Sequence, residues 1–188
     1  PYVVPGDYTV TLTVGDSKLT ANFEVVTPPE SPSDPADLAA QEALSLRISI
    51  KVDDANKAVN RMRDLRDQLS RWETRTKDDE TTASLATEAA SLLANVRKIE
   101  ETLAVPELRL GWGDSINAGP RLIARMINLM GVVQMGDYRP TDSAVAATEE
   151  LETLIDEQLA EFDKLVQQEV VKLAKGIEQA GLSAIVVV

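Results

Sequence analysis

LATEAASLLANVRKIEETL, residues 85–103, decides the fold. Leu85, Ala89, Leu92, Val96, Ile99 and Leu103 recur at alternating spacings of four and three, the apolar seam of a helix that packs as in a coiled coil. Working outward, neither glycine nor proline occurs from Ala36 to Val105, so nothing in that span breaks a helix except a polar turn at Thr76–Thr82. One helix is therefore expected from about Thr82 to Ala104 and a longer one from about Pro35 to Trp72. The longer one carries Ile48, Val52, Ala55, Val59, Met62 and Leu69 on one face, with Arg66 in an otherwise apolar slot. It would span on the order of 55 Å. Leu46–Val52 alternates strictly and could be a strand; helical pattern on both sides favours helix.

Beyond Pro106 lies an irregular stretch, Glu107–Ala118, with Gly111-Trp112-Gly113 in its middle. A short third helix starts near Pro120, with Leu122, Ile123, Met126, Ile127, Met130 and Val133 on its apolar face. Gly136–Pro140 turns the chain. Thr141 or Asp142 caps a fourth helix, which runs through Leu151, Ile155, Leu159, Phe162, Val166, Val170, Leu173 and Ile177 until Gly181 stops it. The expectation is a mainly α protein, an antiparallel up-and-down bundle of about four helices over residues 36–181, followed by an apolar tail, 182–188.

The N-terminus reads differently. In GDYTVTLTVGDSKLTANFEVV, residues 6–26, Tyr8, Val10, Leu12 and Val14 alternate with threonines, and Leu19, Ala21, Phe23 and Val25 alternate with Thr20, Asn22 and Glu24. This is the period of a β-hairpin, with Gly15-Asp16-Ser17 as its turn. Two strands alone are marginal in water, so either the helices that follow cover the apolar face or further strands lie ahead of Pro1. The chain opens at Pro1, close to the first strand, and residues 1–27 are expected to be the last hairpin of an immunoglobulin-like sandwich whose other strands precede Pro1. Residues 28–35 continue a proline-rich linker, and Asp34 with Pro35 signals the start of the first helix.

Composition narrows the chemistry. Acidic residues outnumber basic ones, 31 to 19, and the net charge of −12 disfavours nucleic acid and anionic membrane surfaces. Aromatic residues make up 4% of the chain, which suits an aliphatic bundle. No cysteine is present, which removes disulfides, thiolate metal sites and cysteine nucleophiles. No histidine is present either, which removes the commonest general base and metal ligand, and with it the Glu-x-x-His pairs of di-metal bundles. No apolar run approaches the length of a membrane span. Asp53-Asp54, Glu100-Glu101 and Glu149-Glu150 read as solvated helix faces, and Asp78-Asp79-Glu80 lacks the spaced oxygen ligands of a calcium loop. No phosphate-binding or hydrolase motif is found, and no catalytic residue, cofactor or metal ligand is assigned. Two features are candidate partner contacts. Trp112 either plugs the open end of the bundle or anchors a partner. Ile185, Val186 and Val187 either pack back on the protein or add to a neighbour's sheet edge.

VPGDYTVTLTV, the proline-rich linker, DANKAVNRMRDLRDQL, INLMGVV, RPTDS and AGLSAIVVV together resemble the C-terminal region of large bacterial proteins with sortilin-like, Asp-box (BNR) β-propellers, often labelled glycosyl hydrolases. The resemblance covers essentially the whole chain. It implies a propeller and an immunoglobulin-like domain upstream in the same chain, and an extracytoplasmic location, periplasmic or secreted. The propeller's own S-x-D-x-G-x-T-W repeats are absent from these residues, so no functional residue carries over. The expected role is a non-catalytic accessory region for interdomain or protein–protein docking, including self-association. The alternative is the supporting domain of an active extracytoplasmic glycoside hydrolase whose site lies in the propeller.

Overall fold

A computed structural model of the chain describes residues 3–29, 31, 33–106 and 119–182. Among them, a hairpin of β1 (Gly6–Val14) and β2 (Ser17–Val25) precedes four helices: α1 (Pro35–Thr76), α2 (Ala83–Leu103), α3 (Leu122–Val133) and a fourth made of α4 (Asp142–Leu165), a π-helical turn (Val166–Val170) and α5 (Val171–Gln179). The mainly helical class and the antiparallel hairpin expected from the sequence are found. The ambiguous stretch 46–52 lies inside α1.

Helix ends follow local chemistry. Asp34 Oδ1 accepts the Ala36 N–H at 2.8 Å, and its carbonyl accepts from Asp37 and Leu38, so α1 starts where an Asp-Pro step predicts. Thr141 Oγ1 accepts the Ala144 N–H at 3.2 Å and caps α4. At the far end Gly181 adopts φ 69°, Leu182 N–H reaches the Ile177 carbonyl and Gly181 N–H reaches that of Glu178, which is a Schellman closure. Between α1 and α2, Asp79 Oδ1 accepts both the Thr81 hydroxyl and its N–H, and these bonds hold the Asp79 carboxyl below the usual carboxylate range.

The chain divides into two compact units. One holds Pro1–Ile50 and Ile127–Glu149. Its helical core is Leu44 and Ile48 of α1, Val133 of α3 and Ala144 of α4. Gln41 is buried and its Nε2 donates to the carbonyls of Val133 and Gly136, both at 2.8 Å, so a side chain of α1 satisfies the end of α3. Ser33 Oγ donates to the Asp137 carbonyl, and Arg139 pairs with Asp37 at 3.4 Å. The linker and the start of α1 are thereby tied to the turn after α3. Gly136 has φ 87°, and a Cβ there would meet the Tyr138 ring at 2.5 Å.

The other unit holds Lys51–Met126 and Glu150–Val188. Ala55, Val59, Met62 and Leu69 of α1 share its core with Ala89, Leu92, Val96, Ile99 and Leu103 of α2 and with Ile155, Phe162 and Leu173 of the fourth helix. Lys51 pairs with Asp156 at 2.6 Å and Arg61 with Asp163 at 3.4 Å, so α1 and α4 run in one direction. Thr82, at the head of α2, donates to the carbonyl of Thr76 at the foot of α1, and Lys172 pairs with Glu88. The three long helices of this unit therefore run up, down and up. None of the five residues of the π-helical turn is buried; Val166 and Val170, expected in the core, sit at its edge, because a wider turn shifts the apolar face.

Arg66, the charge in the apolar slot of α1, has its explanation here. Glu100 of α2 has no solvent-exposed side-chain surface. It accepts from Arg63 Nε at 2.9 Å and from Arg66 Nη1 at 2.5 Å. The expectation that Glu100-Glu101 forms a solvated face holds for Glu101, which is half exposed and paired with Arg97, and fails for Glu100. Two guanidiniums replace the water that a buried carboxylate would otherwise lose.

Glu100→Ala should cost about 3–5 kcal/mol in urea unfolding, because it leaves Arg66 partly buried without its anion; replacing Arg66 and Glu100 together by methionine should recover most of that loss. Two glycines should respond with opposite signs in the same assay. Gly136→Ala, forced to positive φ against Tyr138, should destabilise by about 1–2 kcal/mol. Gly131→Ala, in the open interior of α3, should stabilise by about 0.5–1 kcal/mol.

Candidate functional site

The hairpin register joins Tyr8 to Phe23, Val10 to Ala21 and Leu12 to Leu19 on one face, and Thr9 to Asn22, Thr11 to Thr20 and Thr13 to Lys18 on the other. The reversal is a two-residue turn, Gly15-Asp16, with positive φ only at Gly15, the pattern of a type II′ turn; Ser17 belongs to β2. Tyr8 and Phe23 stack with ring centres 5.9 Å apart, and the Tyr8 hydroxyl donates to the Val4 carbonyl at 2.7 Å. Beyond that pair the apolar face is bare. Val10 is 53% exposed, Leu12 59%, Val14 67% and Leu19 69%, and every residue from Thr9 to Glu24 is exposed. A contiguous apolar sheet face open to water is the kind of surface that marks an interaction site.

At the foot of the hairpin, within the same unit, lies a cavity of about 220 Å³. Val4 and Val25 wall it on the strand side, Leu38, Gln41, Glu42 and Ser45 on the α1 side, and Gln134 and Asp137 on the side of the turn after α3. Ser45 is 1% exposed, and among the described residues its Oγ has no hydrogen-bond partner; Gln134 Nε2 is buried without one among them as well. Sequence reasoning did not single out this group. The signal was present: Gln41 and Ser45, four residues apart, interrupt the apolar face that Leu38, Leu44 and Ile48 set up on α1.

The other sequence candidates, Trp112, Ile185, Val186 and Val187, lie outside the described residues. Among the described residues no cluster of three or more acidic, cysteine or histidine side chains is placed to hold a metal ion, and no helix is long and apolar enough to cross a membrane. Compared with known proteins, the chain matches no family model, no curated protein and no solved structure.

Replacing Val10, Leu12 and Leu19 together by threonine should move the thermal midpoint by no more than about 5 °C, because these side chains are already in water and the cost of exposed substitutions is within about 0.5 kcal/mol each. Circular dichroism at a helix wavelength measures it.

Proposed function

We propose that this chain is a non-catalytic accessory region that docks, through the apolar face of its hairpin, against a β-sheet of a larger extracytoplasmic polypeptide, and that the helices serve as its brace. The observation that carries this reading is the exposed row of Val10, Leu12, Val14 and Leu19 on a pleated surface whose other side is threonine-rich. One apolar and one polar face is the pattern of a sheet that packs on a second sheet.

Size favours a partner in the same polypeptide. Two nine-residue strands present a face about 30 Å long and about 10 Å wide, so about 300 Å². A stable complex between separate proteins buries about 800 Å² on each partner. A covalently linked domain needs less, because the linkage holds it at an effective concentration near the millimolar range. The resemblance of the whole chain to the tails of sortilin-like propeller proteins supports the same arrangement, with an immunoglobulin-like sheet as the neighbour and the propeller beyond it.

Intact mass and peptide mapping of the polypeptide purified from its source test the proposal. The expected result is a chain several times heavier than 20.4 kDa with β-rich, Asp-box sequence ahead of the hairpin. A polypeptide of 20.4 kDa would overturn it.

A further inference from the structure

Among the described residues β1 and β2 pair only with each other, so each strand has an outer edge without a strand beside it. The two edges are not alike. A two-residue turn makes Val14 and Ser17 a hydrogen-bonded pair, and in an antiparallel ladder such pairs alternate with pairs that exchange no main-chain bonds. Leu12–Leu19, Val10–Ala21, Tyr8–Phe23 and Gly6–Val25 are therefore bonded inward. The main-chain groups of Asp7, Thr9, Thr11 and Thr13 point off β1, and those of Lys18, Thr20, Asn22 and Glu24 point off β2. A strand arriving at β1 lies beside three threonines. One arriving at β2 meets a lysine near one end, a glutamate near the other, and between them Asn22, whose side-chain oxygen already accepts from Thr9 at 2.8 Å.

Inner strands favour β-branched and aromatic residues, whereas outer strands carry lysine and other charges that discourage further pairing. From Tyr8 to Val14 every residue except Leu12 is β-branched or aromatic, and none is charged. In β2 only Thr20, Phe23 and Val25 are of those types, and Lys18 and Glu24 are charged. We infer that β1 is an inner strand of the complete sheet and β2 its outer strand: a further strand of the same larger polypeptide pairs with the outer edge of β1 through the main-chain groups of Asp7, Thr9, Thr11 and Thr13. This inference rests on the docking proposed above and assigns it an edge as well as a face. The occupant is extended backbone because the outward N–H and C=O groups repeat every second residue, about 7 Å apart, a spacing that another strand reproduces. Its side chains beside the threonines are neutral. A third strand also widens the apolar row of Val10 and Leu12 by about 5 Å, which enlarges the face that packs on the second sheet.

Residue-resolved hydrogen–deuterium exchange on the polypeptide purified from its source, with its mass measured on the same sample, tests the assignment. The amides of Thr9, Thr11 and Thr13 should exchange at least about a hundredfold more slowly there than in this chain, while those of Lys18, Thr20 and Asn22 stay within about tenfold of their rates here. Proline gives a second readout, since it removes an N–H and is tolerated in a strand where that group faces solvent. Thr11 and Thr20 are opposite each other in the ladder, so the general cost of a proline is matched between them. In the source polypeptide Thr11→Pro should speed exchange at Val10 and Leu12 at least about tenfold more than Thr20→Pro does. Protection of Lys18, Thr20 and Asn22 to the same or a greater degree would overturn the inference, as would equal effects of the two prolines. So would fast exchange of both outward sets in a polypeptide larger than 20.4 kDa, a result that leaves the docking of the apolar face intact. A polypeptide of 20.4 kDa would overturn both.

Discussion

Helix α1 is the element on which the other helices depend, and it exists because 42 consecutive residues contain no breaker after their first proline. Along it, Gln41 closes the end of α3, Asp37 and Arg47 meet Arg139 and Glu149, Lys51 and Arg61 meet Asp156 and Asp163, and Arg63 with Arg66 meets Glu100. These contacts differ in weight. The exposed ion pairs set register and contribute little each, as long side chains lose entropy to make them. The Glu100 clamp and the bond from Gln41 to the Val133 carbonyl satisfy buried groups, and they are the ones whose loss would be felt.

Much of this was legible in the sequence where the governing physics is local. Asp34-Pro35 and Gly181 marked helix ends because capping is decided within a few residues, and the alternation in 8–14 and 19–25 fixed the hairpin faces because side chains in a strand have period two. The seam in 85–103 named the buried side of α2. What stayed hidden depends on residues far apart in the chain. Arg66 stood out as a charge on an apolar face, but nothing near it in sequence said that Glu100 would meet it. The wider turn at 166–170 has no compositional signature, so Val166 and Val170 read as core. Gln41 and Ser45 came to line a cavity only when the turn carrying Gln134 and Asp137 was brought beside them.

One kind of incompleteness remains on the first unit. The hairpin face lacks apolar cover over a broad, flat area, which only another macromolecular surface can supply.

β1 and β2 are exposed in this chain, and the proposed docking requires them to be covered in a larger polypeptide. Hydrogen–deuterium exchange over residues 6–25, compared between this chain and the polypeptide from its source, measures that directly. Exchange should be fast along the hairpin here and slow in α1 and α2, with strong protection of the same strands in the source polypeptide. Equal exchange of the hairpin in the two preparations would contradict it.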